Sequence, residues 1–176
     1  MIIVLCGYMG SGKSLIAKKL AEEISFDFMD LDQEIEKNQE MKISEIFSTK
    51  GEISFRKTET EVLKTCLNTK KNTVLALGGG TPCYGKNLQI IKENPNTTLV
   101  YLKVNLETLT NRLFSEKDER PLLKTIESKE KLDDFIRKHL FERQYYYMQS
   151  DFKVESSTLS PAEIVKEIVD LLQIKK

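Results

Sequence analysis

Residues 7–14 read Gly-Tyr-Met-Gly-Ser-Gly-Lys-Ser, a fit to G-x-x-x-x-G-K-[ST], the loop that cradles phosphates in nucleotide-using folds. The flanking residues support the match. Ile2-Ile3-Val4-Leu5-Cys6 is a short β-branched apolar run of the kind that forms a buried parallel strand. From Leu15 to Ile24, apolar residues recur at Leu15, Ile16, Leu20, Ala21 and Ile24, which is helical spacing. The loop therefore stands between a strand and a helix, the setting the motif requires.

The chemistry follows from that setting. Gly7, Gly10 and Gly12 allow a tight turn in which successive N–H groups face one concavity. That concavity and the positive end of the next helix hold phosphate oxygens. Lys13 reaches toward the β- and γ-phosphates, and the Ser14 hydroxyl is a ligand for Mg²⁺. The expected ATP contacts are Gly10, Ser11, Gly12, Lys13, Ser14 and Leu15.

Bulk properties narrow the class. A chain of 176 residues is long enough for one domain with a real core, here 1–176. With 27 basic and 27 acidic residues, nothing in the charge favours a polyanion, so no nucleic-acid partner is expected. The opening apolar run is too short for a membrane span and lacks a basic start. Cys6, Cys66 and Cys83 are odd in number and widely spaced, which reads as free thiols in a reducing cytoplasm. Cys83 lies near an expected ligand loop, with the inert reading preferred over a reactive one.

Strand-like and helical stretches alternate, pointing to a parallel α/β sheet with helices on both faces. The expected strands are 2–6, 27–30, 73–77, 98–104 and 152–155. The helices are 13–24, 43–48, 55–67, 86–93, 106–113, 131–148 and a last one opened by a Ser160/Glu163 capping box with Pro161 in its first turn. Its stripe Ile164, Val165, Ile168, Val169, Leu171 and Leu172 is expected to face the core. The charged stretch Ser115 to Leu123, broken by Pro121, reads as a mobile surface segment and a lid candidate.

Ligands in open α/β sheets bind beyond the carboxyl ends of the strands. After the second strand come Asp30 and Asp32. Asp30 suits Mg²⁺ and its waters. Asp32 suits an acceptor hydroxyl, unless it is merely the N-cap of a helix at 33–38. After the third strand, Gly78-Gly79-Gly80 makes sense where a ligand touches backbone. Arg56 and Arg143, each within a helix, can grip a carboxylate, and Glu59 stands where it can hold Arg56. His139 has no visible partner, and Tyr145-Tyr146-Tyr147 reads as helix packing.

Taken in order, these elements resemble the shikimate kinases: the loop 7–14, Asp30-Leu31-Asp32, Phe55-Arg56-Lys57-Thr58-Glu59, Gly78-Gly79-Gly80, Arg120-Pro121-Leu122-Leu123 and Glu142-Arg143-Gln144-Tyr145-Tyr146. The resemblance runs almost end to end. It implies a three-layer α/β sandwich with a five-stranded parallel sheet in the order 2-3-1-4-5. It also implies a lid at about 114–125 and a substrate-binding helical region at about 32–62. The activity it implies is transfer of the ATP γ-phosphoryl group to the 3-hydroxyl of shikimate, on the route to chorismate, with Mg²⁺ as cofactor. By likeness, Asp32 contacts the shikimate hydroxyls and activates the acceptor. Arg56 and Arg143 hold the carboxylate, Gly78, Gly79 and Gly80 line the pocket, and Arg120 reaches the ATP phosphates from the lid. The expected partners are ATP and shikimate, met by a cytoplasmic monomer.

One departure stands out. Many relatives carry an Arg after the last strand that stacks on adenine, and 155–160 contains none. The rivals are a gluconate kinase of similar fold and a non-catalytic nucleotide switch. The triple glycine and the Phe-Arg-x-x-Glu element favour shikimate, and a switch would leave Asp32 and both arginines without a task.

Overall fold

A computed structural model describes residues 1–117 and 122–174. Five strands form one parallel sheet: β1 (Ile2–Cys6), β2 (Asp27–Asp30), β3 (Thr73–Ala76), β4 (Thr97–Lys103) and β5 (Phe152–Glu155), in the order β2-β3-β1-β4-β5. The expected strand order is the observed one. The helices among the described residues are α1 (Lys13–Ile24), α2 (Leu31–Gln39), α3 (Ile43–Leu67), α4 (Asn87–Glu93), α5 (Leu106–Ser115), α6 (Lys129–Tyr147) and α7 (Pro161–Leu172).

Strand side chains alternate between two cores, as the two-residue period of a strand dictates. Ile3, Leu5, Val74, Ala76, Val100 and Leu102 pack with α1 and α7. Ile2, Val4, Leu75, Leu77, Leu99 and Tyr101 face the opposite side, where α2 through α6 supply Leu31, Ile46, Leu63, Ile91, Leu109 and Ile136. Burial on both faces explains why the central strands read as unbroken apolar runs.

Several expectations need correction. The helices expected over 43–48 and 55–67 are both present: α3 is two helices that meet at a kink at Gly51, whose φ of 76° is left-handed, and the second begins before residue 55. Asp30, not Asp32, caps α2: its Oδ1 accepts from the backbone N–H of Asp32 at 3.0 Å and of Gln33 at 3.4 Å. Leu171 is exposed rather than core-facing, at the edge of the apolar stripe of α7. The Ser160/Glu163 capping box forms as expected. No helix among the described residues is long and apolar enough to cross a membrane.

Candidate active site

The phosphate loop leaves β1 and enters α1 with Gly7, Gly10 and Gly12 at φ of 147°, 79° and 87°, conformations open to glycine and costly for other residues. Lys13, buried, lies back across the loop and donates to the Tyr8 carbonyl at 3.0 Å. Arg112, from the last turn of α5, donates to the Gly10 carbonyl at 3.2 Å. The loop borders a cleft of about 470 Å³ lined by Met9 to Ile16, by Asp32, Leu77, Gly78 and Gly79, by Arg112 and Glu116, and by Leu159, Pro161 and Ile164.

Ser14 and Asp30 meet across the loop. The Ser14 hydroxyl donates to Asp30 Oδ2 at 2.6 Å, while Asp30 Oδ1 is committed to capping α2. Two hard oxygens side by side suit Mg²⁺, which takes few protein ligands and fills its octahedron from phosphate and water. Among the described residues no group of three or more His, Cys, Asp or Glu is arranged as a fuller cage.

Asp32 sits beyond the cap with its carboxylate against Gly78. A Cβ on Gly78 would lie 2.8 Å from Asp32 Oδ1 and 3.0 Å from Thr81 Oγ1. Burial, reinforced by the neighbouring Asp30 charge and opposed by Lys13, raises the Asp32 pKa to about 6. The other two glycines are crowded in the same manner. A Cβ on Gly79 would lie 3.1 Å from the Met9 backbone nitrogen, and one on Gly80 would lie 3.1 Å from the Tyr84 ring and 3.3 Å from Arg56 Nη2. None of the three needs a left-handed φ. The run is glycine because three parts of the site press on it: the carboxylate, the phosphate loop and the Arg56 guanidinium.

Arg56 is held by several neighbours. Its Nη1 donates to Glu59 Oε2 at 2.9 Å, and its guanidinium lies 3.6 Å from the centroid of the Tyr84 ring. Glu59, only 1% exposed, accepts from the Thr81 hydroxyl at 2.8 Å through its other oxygen. Asn87 ties this network to the chain: its Nδ2 donates to the Thr81 carbonyl at 3.0 Å, and its Oδ1 accepts from Thr60 at 2.7 Å. A cation fixed this way keeps its direction when a carboxylate arrives. Arg56 Nε makes no hydrogen bond among the described residues and lies 3.5 Å from Glu52 Oε1.

Arg143 approaches from α6, its guanidinium 5.7 Å from the centroid of the Tyr8 ring. Arg56 lies against Gly80 and the Tyr84 ring, on either side of the turn Thr81–Cys83, and the charges of Arg143 and Arg56 both favour the Cys83 thiolate. Burial outweighs them and pushes the Cys83 thiol up to about 11, so it is protonated and unreactive at neutral pH.

The family model for shikimate kinase matches residues 9–173. The chain belongs to the shikimate kinase family. It is 43% identical over 170 residues to the shikimate kinase of Flavobacterium psychrophilum, covering 97% of this chain and 98% of that one. Its fold matches the crystal structure of shikimate kinase from Bacteroides thetaiotaomicron with a TM-score of 0.90 at 30% identity, covering 99% of both chains. It matches shikimate kinase from Acinetobacter baumannii in complex with shikimate with a TM-score of 0.86 at 31% identity, covering 98% of this chain and 92% of that one.

Within this family frame, Lys13, Ser14, Asp30, Asp32 and the three glycines share one cleft and its rim, Arg56 lies against Gly80, and Arg143 lies beside the Tyr8 ring. Leu15 lines the cleft from its exposed position. Arg120 lies outside the described residues. So does the centre of the segment assigned as a lid, whose far side is anchored by the buried Leu123. Sequence reading missed Arg112, Thr81, Tyr84 and Asn87. Only Arg112 carried a usable signal, as a cation in the helix that follows a strand's carboxyl end. The tyrosine cluster is partly packing, with Tyr147 stacked on Tyr101, but the Tyr147 hydroxyl also donates to the Gly79 carbonyl.

Proposed function

We propose that the chain transfers the γ-phosphoryl group of ATP to the 3-hydroxyl of shikimate, the ATP-dependent step of its family on the route to the aromatic amino acids. The observation that carries this is the triple glycine, packed at once against Asp32, the phosphate loop and Arg56. A hydroxylated acid gripped at Arg56 thereby has its hydroxyl end directed toward Asp32 and the phosphates.

In this reading the loop backbone and Lys13 hold the phosphates and offset the charge that develops on the transferred group. Ser14 and Asp30 would hold Mg²⁺, which when bound neutralises phosphate charge and orients the chain of oxygens. Asp32 takes or orients the acceptor proton, a task suited to a carboxylate raised above its ordinary range. Arg56 and Arg143 hold the substrate carboxylate, and Arg120 approaches the phosphates from the lid. Leu159, Pro161 and Ile164 give the nucleotide base an apolar wall, with Arg112 across the cleft, in place of the missing arginine after β5. The proposal extends to a cytoplasmic monomer that engages neither nucleic acid nor membrane.

The test is ADP release from Mg-ATP with shikimate, beside gluconate, a nucleoside monophosphate and no acceptor. Stimulation by shikimate alone is expected. Stimulation by gluconate instead would move the substrate, and no stimulation with ATP still bound would leave a nucleotide switch.

A further inference from the structure

His139, Arg143 and Tyr147 are spaced four residues apart along α6, so they form one stripe on one face of the helix. The two ends of the stripe are tied to two loops of the site that pack on each other, the phosphate loop and the glycine run. At one end His139 Nδ1 lies 3.2 Å from the Tyr8 hydroxyl, and Tyr8 belongs to the phosphate loop. At the other end the Tyr147 hydroxyl donates to the carbonyl of Gly79, the centre of the glycine run. Between them, Arg143 lies at cation–π distance from the ring of the same Tyr8.

We infer that His139, through Tyr8, and Tyr147, through Gly79, are positioning residues that suspend Arg143 at a fixed height over the acid-binding turn. The inference rests on the carboxylate-binding role given to Arg143 above. Tyr8 joins the two halves of the site: its carbonyl receives Lys13 at 3.0 Å, its ring faces Arg143, and its hydroxyl meets His139. Among the described residues no carboxylate pairs with Arg143 as Glu59 pairs with Arg56. Its orientation therefore depends on where the helix is docked. The proton arrangement is consistent with this geometry. Burial holds the Tyr8 hydroxyl protonated, its pKa up to about 12, and burial together with the Arg143 charge holds His139 below its ordinary value. A protonated Tyr8 hydroxyl and a neutral His139 can share this hydrogen bond in either imidazole tautomer.

The experiment is steady-state kinetics of His139→Ala, His139→Asn, Tyr147→Phe and Arg143→Ala, alone and with His139→Ala combined with Arg143→Ala. Asn offers an amide, donor and acceptor both, near the position of Nδ1. Loss of one such hydrogen bond is expected to raise the shikimate KM about 3- to 10-fold in His139→Ala and Tyr147→Phe. The KM for ATP should stay within about twofold, and His139→Asn should recover most of the loss. In the Arg143→Ala background, His139→Ala should cost nothing further, because the residue it positions is gone. A rise in both KM values together, or full additivity in the double variant, would overturn the inference and leave these residues as general packing. If His139→Ala fails to fold, Tyr8→Phe breaks the same bond with the ring kept and is judged by the same criteria. An Arg143→Ala variant with an unchanged shikimate KM would retire the carboxylate role itself. A strong Arg143→Ala effect with silent His139 and Tyr147 variants would retire only the positioning.

Discussion

The two halves of the site are built by different means. The nucleotide half is almost contiguous: eight residues, most of them offering backbone, turn between one strand and one helix. The half proposed to grip the acid draws Arg56 from α3, the turn Thr81–Cys83 from beyond β3, and Arg143 from α6. The first needs only a local conformation, which left-handed glycines supply. The second needs long side chains aimed from separate elements, so it needs props: Glu59, Thr81 and Asn87 for Arg56, and the α6 contacts for Arg143. Binding a phosphate chain can rest on backbone, whereas directing a guanidinium at a small carboxylate depends on packing elsewhere.

The largest expected effect lies in the nucleotide half. Lys13→Ala should lower kcat by at least ~100-fold, the scale of removing a charge-stabilising donor at a reacting centre. Near-normal turnover would mean that the loop is not where charge is offset. Asp32→Asn comes next, with turnover down about 100-fold, the lower end for loss of a proton acceptor. Because Asp30 is the cap, α2 should persist in that variant, and circular dichroism showing it lost would return Asp32 to a structural role.

In the acid half, Arg56→Ala should weaken shikimate binding by about 10-fold or more, the cost of losing a charged hydrogen-bond partner, with ATP affinity unchanged by calorimetry. The reverse pattern would erase the division between the halves. The smallest effect calibrates the rest. Ser128 caps α6 through the Lys131 N–H at 3.3 Å, fifteen residues before Arg143 and so roughly 22 Å along the helix. Ser128→Ala should cost about 1 kcal/mol of stability in thermal unfolding and leave both KM values alone. A rise in the shikimate KM there would show that helix integrity, rather than docking at His139 and Tyr147, places Arg143.

The order of elements and the phosphate loop were legible because their causes are local. Apolar runs of two-residue and near-four-residue period follow from which faces are buried, and the loop glycines follow from backbone sterics. Resemblance supplied the strand order, which periodicity does not encode. The interruption between 48 and 55 was legible, but not its narrowing to Gly51, because a single Gly in a polar, helix-like stretch does not mark how soon the next helix starts.

The sequence by itself determined the sheet class, the nucleotide loop and, through an ordered set of short motifs, the family. Tertiary structure alone decided which aspartate caps α2 and which faces the site. It also showed why three glycines stand together, what holds Arg56, and how His139 and Tyr147 acquire partners. The physical reason is distance along the chain. Hydrogen bonds between residues 8 and 139, 59 and 81, and 79 and 147 depend on helices docking against the sheet, and no local pattern records that docking.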